Sequence, residues 1–214
     1  MGMTKEFTRN NLLDALRGFS VVLMLLHHIV YVLDSYAIIH VGVLSHPFWS
    51  NLPKLIIFIF LFSSGISLCY LAKEGVELKA YFLRLGKLFL GALFISGYSY
   101  LLFPDSWIYS GILHCIFICS ILVIPFLRLK WTPLIFSVGL FTLPLVFGVE
   151  YPWINLPQFT YDYEPPFPWF GSMLMGVACY HLLWKGWPKN YPTGESVFSK
   201  VLAYLGKNSF VIYL

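Results

Sequence analysis

The sequence predicts an all-α, polytopic integral membrane helical bundle of about seven transmembrane helices, with its amino terminus in the cytoplasm. Three observations predict it. Apolar runs lie near residues 18–39, 53–72, 86–103, 108–127, 131–149 and 168–184, with a seventh starting near 201. A bilayer core about 30 Å thick needs around 20 apolar residues per helix, and most of these runs are that long or slightly shorter. Thirteen of the fourteen Lys and Arg residues fall at alternate breaks between the runs. Hydrophobic residues make up 58% of the chain and charged residues only 11%, against roughly 25% charged in a soluble domain.

The charge pattern orders the elements. Lys5, Arg9 and Arg17 precede the first run; Lys73, Lys79, Arg84 and Lys87 stand between the second and third. Arg128 and Lys130 separate the fourth and fifth, and Lys185, Lys189, Lys200 and Lys207 the sixth and seventh, leaving only Lys54 for the other breaks. Positive charge stays cytoplasmic during insertion, and the rule counts Lys and Arg rather than net charge. The net charge of +4 follows from topology and implies no nucleic-acid partner. The first run follows a basic amino end but lacks a small-x-small cleavage site, so it reads as a retained helix. Cys69, Cys115, Cys119 and Cys179 all fall within apolar runs, where a cysteine is by default a small buried hydrophobe and not a disulfide or metal ligand.

Two outer links are long. The first, roughly 40–52, holds His40, His46, Trp49 and Asn51. The third, roughly 150–167, reads EYPWINLPQFTYDYEPPF; its prolines deny it a regular helix, and its aromatics suit either a headgroup belt or the cover of a cleft. The seventh run ends about fourteen residues in, at Leu214. Residues 1–214 therefore read as a single domain, incomplete at its carboxyl end.

Ionisable groups inside a bilayer cost several kcal/mol, roughly, unless they face a cavity or partner, which makes them functional candidates. The first helix carries Asp14, Arg17, His27 and His28. Arg17 and His28 are eleven residues apart, about 1100° of rotation, so they share a face to within about 20° and stand about 16 Å apart along the axis. Arg17 at a cytoplasmic mouth suits a phosphate-bearing ligand, and His28 near mid-membrane suits proton transfer. The plainer alternatives are a positive-inside anchor and a packing residue. His114, after Gly111 in GILH, is either a third wall of the same cavity or an interhelical hydrogen-bonding residue. Ser63, Ser64, Gly65 and Ser67 read first as helix-packing residues, and His40 and His181 as interfacial. Neither a phosphate loop nor GxGxxG, HExxH or GxSxG occurs, which argues against nucleotide hydrolysis and dinucleotide chemistry.

Several segments carry a family likeness. LLDALRGFSVVLMLLHH resembles the first-helix signature of transmembrane acyltransferases, in which ten residues separate an arginine from a histidine, here Arg17 and His28. FIFLFSSGISL, RLGKLFLGALF, FPDSWIYSGILHCIFICSIL, PPFPWFGSMLMGVACY and LGKNSFVIYL resemble, in order, blocks of the bacterial family related to the heparan-alpha-glucosaminide N-acetyltransferase catalytic domain. HPFW at His46–Trp49 is similar to the segment holding that enzyme's active-site histidine. The likeness spans about 11–214; the chain departs in a longer first outer link and in lacking that enzyme's amino-terminal extension and later helices.

The resemblance implies acetyl transfer from cytosolic acetyl-CoA to an amine or hydroxyl of a sugar or glycan across the inner membrane, with no metal. Membrane lipid surrounds such a protein, and a homodimer is an open expectation. CoA phosphates are expected near Arg17, Lys73, Arg84 and Lys87, and the acceptor near Trp49, Asp105, Asp162 and Trp169. His46 is the expected base, because the reacting atom should lie past mid-membrane; His28 would position the thioester or relay a proton. A covalent acetyl-histidine route stands beside direct transfer. Two other readings use the same residues: a small transporter or glycan/lipid-translocating protein without covalent chemistry, and an assembly protein whose histidines only join helices. A transporter would favour internal repeats and broken mid-membrane helices, which the sequence does not display.

Overall fold

A computed structural model of the chain describes residues 11–73, 78–157, 159–160, 162–184 and 196–213. Among them are α1 (Asn11–Ser35), α2 (Pro47–Lys73), α3 (Leu78–Leu102), α4 (Ile112–Leu122), α5 (Thr132–Phe147), α6 (Pro166–Cys179), α7 (Val197–Lys207) and α8 (Ser209–Tyr213), with no strand. Lys5, Arg9, Lys185 and Lys189 lie outside the described residues, as does the side chain of Lys73. Backbone contacts group the chain into two compact units, Met1–Ile59 with Gly186–Tyr213, and Phe60–Lys185.

In the first unit, α1 packs on α7. The buried residues of α1 are Leu13, Asp14, Gly18, Ser20, Val21 and Met24, the three-and-four spacing of one helix face. The crossing is close because glycines meet backbone: a Cβ on Gly18 would collide with the Leu202 carbonyl, and one on Gly206 with the Asp14 carbonyl. Small residues permit such approach. Asp14 is buried but paired, its Oδ1 taking the Arg17 guanidinium at 3.2 Å. The chain leaves α1 through a loop organised by Asp34, whose carboxylate accepts the N–H groups of Val41, Gly42 and Val43 at 2.8, 3.1 and 2.9 Å. Gly42 takes φ +64° there, a conformation suited to glycine. The link is shorter than the sequence suggested: α2 begins at Pro47, so Trp49 and Asn51 are helical and only His46 of the HPFW segment precedes the helix. Proline at a first helical position loses no bond.

In the second unit α2 and α6 cross through a reciprocal pair. A Cβ on Gly65 would meet the Met173 carbonyl, and one on Gly176 the Phe62 carbonyl. Ser63 and Ser64 are buried beside this crossing, so SSG reads here as packing. Ser137 on α5 donates to the Gly171 carbonyl of α6 at 2.8 Å, and Tyr81 on α3 to the Ser120 carbonyl of α4 at 2.8 Å. Cys69, Cys115 and Cys119 are buried free thiols and Cys179 is half-buried.

Among the described residues three helices are long and apolar enough to cross a membrane: Asn11–Ser35, Pro47–Ala72 and Lys79–Leu102. The later apolar runs give shorter helices than expected, and the fourth shows why. The run 108–127 is one helix only over the 11 residues of α4, about 16 Å, before a 3-10 turn at Ile124–Phe126. Pro125 lacks the N–H that continuation requires. His181 completes this end, its Nε2 donating to the Leu127 carbonyl at 2.8 Å. α5 stops at Gly148 in the left-handed conformation with φ +63°, a common helix ending.

Candidate functional site

The densest polar arrangement in the second unit surrounds the first turn of α4. Gly111 N–H donates to His114 Nδ1 at 3.2 Å, which fixes the tautomer: Nδ1 holds the lone pair, and a neutral ring then carries its proton on Nε2. That Nε2 lies 3.0 Å from Ser96 Oγ on α3, and Ser96 in turn donates to the Ile108 carbonyl at 2.7 Å. Ser99 accepts the Ile108 N–H at 2.9 Å. The imidazole therefore closes a chain of bonds from α4 to α3, with both ring nitrogens engaged.

Asp162, from the third outer link, joins the same turn. Its Oδ2 accepts the Ile112 N–H at 3.1 Å, satisfying one of the orphan donors at the start of a helix and favoured there by the helix dipole. Gly111 leaves room for it; a Cβ there would overlap the carboxylate. The loop is held further by Glu164 N–H on the Ser110 carbonyl at 2.6 Å and by Trp153 Nε1 on Ser110 Oγ at 2.8 Å. Tyr163 donates to the Ile154 carbonyl at 3.1 Å. Burial, and to a lesser degree the neighbouring Tyr109, pushes the Tyr163 phenol up, so it stays protonated. Beside these residues the loop borders an open surface depression of about 580 Å³ lined by residues from Pro144 to Pro168.

The structure thus brings His114 and Asp162 to one helix turn. Asp105 stands exposed in the turn after α3, apart from that network, and Trp169 is half-buried in the first turn of α6. Of the expected phosphate contacts in this unit, Lys87 borders an open groove with Lys79 along α3, whereas Arg84 is half-buried and lies outside that groove.

The first unit carries the other candidates. Arg17 pairs with Asp14, its side chain 16% exposed. His28 is exposed, and its Nδ1 lies 2.8 Å from the Met24 carbonyl. A carbonyl only accepts, so Nδ1 carries the proton and a neutral ring keeps its lone pair on Nε2. His27 is turned away, stacked on Tyr31 at 6.5 Å, as its 80° or so of displacement requires. His46 is exposed beside the start of α2, where its Nδ1 accepts the Phe48 N–H at 3.3 Å. Trp49 follows, half-buried, with its ring edge-on to Phe48 at 5.1 Å.

Asp34 and Ser96 escaped sequence reasoning. Asp34 had a detectable signal, a carboxylate at the end of an apolar run ahead of a glycine-containing link. A single serine within an apolar stretch offers none.

Apolar helices of membrane-spanning length define a helical membrane protein. A family model places it further: residues 9–214 match "Heparan-alpha-glucosaminide N-acetyltransferase, catalytic", and the chain belongs to that family. It is thereby an acetyltransferase-type membrane protein. No curated protein and no solved structure matches the chain.

Proposed function

We propose that this protein transfers an acetyl group from cytosolic acetyl-CoA to an amine or hydroxyl of a sugar or glycan on the far side of the cytoplasmic membrane. The observation that carries the reading is the catalytic-domain match across 9–214. The acceptor N or O attacks the thioester carbonyl, its proton passes to a base, and the tetrahedral species collapses to release CoA thiolate. His46 is that base. Its lone-pair nitrogen is engaged by a long 3.3 Å bond from Phe48 N–H, a contact an acceptor can displace. His28 supports the same chemistry from α1: the Met24 bond orients its ring and leaves Nε2 to position the thioester or relay the proton. His114, bonded at both nitrogens, serves as a fixed wall. Arg17, held by Asp14, together with Lys73, Arg84 and Lys87 offers cationic contacts for the CoA phosphates. Trp49, Asp105, Asp162 and Trp169 are proposed on the acceptor side.

Purified protein in detergent should bind acetyl-CoA saturably, and Arg17→Ala should weaken that binding. Loss of a general base costs about 10²–10⁴-fold in rate, so His46→Ala should lose measurable transfer while holding acetyl-CoA within a few fold of wild type. An active His46→Ala beside a dead His28→Ala that still binds acetyl-CoA would move the base to His28. Absence of acetyl-CoA binding would count against the transferase reading itself.

A further inference from the structure

α3 carries a glycine that the packing of the chain does not explain. Glycine inside a helix is destabilising relative to alanine. At Gly18, Gly65, Gly176 and Gly206 a Cβ would collide with the backbone of a neighbouring helix, so each of these is required by a crossing. Gly86 differs: a Cβ there would meet no atom within 4 Å. It lines an open groove of about 380 Å³ along α3, together with Lys79, Phe82, Leu83, Lys87 and Leu90. Phe82, Leu83 and Leu90 are each more than half exposed, and both lysines are exposed.

The lining holds two cations, no anion, and no hydroxyl or amide side chain. Backbone groups inside a helix are already bonded to one another. A ligand for this surface therefore needs an anionic group for the lysines and an apolar body for the rest. Lys79 stands in the first turn of α3, and Lys87 follows about 12 Å further along the axis. Helical side chains lean toward the amino terminus of their helix. Lys87 is thus suited to lie back across Gly86 toward Lys79, its stem on apolar surface and its ammonium at the water boundary. α3 has membrane-spanning length, and this is its basic end, where the anionic lipids of a leaflet attract Lys and Arg. A nucleotide would bring a base and ribose whose polar edges find no partner here. A phospholipid brings a phosphate with an acyl chain beneath it.

We propose that this groove is a binding site for an anionic glycerophospholipid, its phosphate held by Lys79 and Lys87 and an acyl chain laid over Gly86. The site does not rest on the transferase reading. That reading offers Lys87 to the CoA phosphates, so both ligands are measured on the same samples. Purified protein is mixed with equimolar phosphatidylglycerol and phosphatidylcholine of identical acyl chains, and bound lipid is counted by native mass spectrometry. Acetyl-CoA affinity is measured in parallel. A basic residue near a lipid surface is worth about fivefold in affinity for anionic lipid. Wild type should therefore prefer phosphatidylglycerol by about fivefold or more, and Lys79→Gln should lower that preference about fivefold. Gly86→Leu fills the notch without touching a neighbouring helix, so it should release the lipid with no fall in melting temperature. Lys79→Gln changes only an exposed side chain and decides the matter even if Gly86→Leu fails to fold. Equal retention of the two lipids by wild type, an unchanged preference in Lys79→Gln, or full retention by a folded Gly86→Leu would overturn the proposal. Weakened acetyl-CoA binding in Lys79→Gln, with lipid preference intact, would give the groove to the donor and overturn it as well. A lipid preference that depends on Lys79, in samples that bind no acetyl-CoA, would uphold the lipid site and count against the transferase.

Discussion

His114 shows how much a single hydrogen bond decides. Because a backbone N–H occupies Nδ1, the neutral ring must donate from Nε2, and Ser96 stands 3.0 Å away to receive it. Removing one partner of a buried bond costs about 1–3 kcal/mol, since the remaining group has lost water as well. Ser96→Ala should lower unfolding stability in detergent by that order and leave the Gly111-held Nε2–H tautomer in place, so that the ¹⁵N signal of His114 Nε2–H shifts with the loss of its acceptor. An unchanged spectrum would mean that Ser96 does not hold the ring. His114 itself was legible in the sequence, because a histidine one turn inside an apolar run is conspicuous. Its partner was not, since a serine in such a run has no spacing that points anywhere. The same asymmetry holds on α1: helical periodicity put Arg17 and His28 on one face, but the hydrogen bond from His28 Nδ1–H to the Met24 carbonyl has no trace in the sequence.

Helix ends and crossings form the next scale. α4 starts with Gly111, which has no side chain to cap the helix, and Asp162 supplies the carboxylate from fifty residues away. Losing an N-cap acceptor costs about 0.5–2 kcal/mol. Asp162→Ala should cost that much in chemical denaturation, while Asp105→Ala, in an exposed turn, should be neutral within error. The α2–α6 crossing is more demanding. Gly176 faces the Phe62 backbone, which cannot rotate away as a flexible side chain would. Overfilled packing typically costs about 1–3 kcal/mol, so Gly176→Leu should sit at or above the top of that range, read as a fall in melting temperature. Hydropathy located the helices because long apolar runs dominate this chain. It missed their ends wherever proline or a cap intervened: Pro125 cuts the fourth run short, and Pro47 starts α2 before its apolar stretch begins. A cap brought from a distant loop leaves no local trace.

For the molecule as a whole the leading question is orientation, which depends on charge rather than on packing. Arg17, Arg84 and Lys87 lie at or just before the starts of the apolar runs 18–39 and 86–103, toward or beyond whose other ends stand Asp34 and Asp105. By the rule that Lys and Arg stay cytoplasmic, the loop organised by Asp34, with His46, and the third outer link are each expected on the outside. Site-specific labelling tests this directly. Ser45→Cys and Thr160→Cys should react with a membrane-impermeant thiol reagent applied from the periplasm, and Glu77→Cys and Asn190→Cys should react only after the membrane is permeabilised. The native thiols give a low background, since Cys69, Cys115 and Cys119 are buried and Cys179 is half-buried. The reverse labelling pattern would place His46 and the third outer link on the acetyl-CoA side, leaving no acceptor chemistry across the membrane to propose. A mixed pattern, with positions 45 and 160 on opposite faces, would mean that an odd number of spans separates them, contrary to the even number that the basic clusters require.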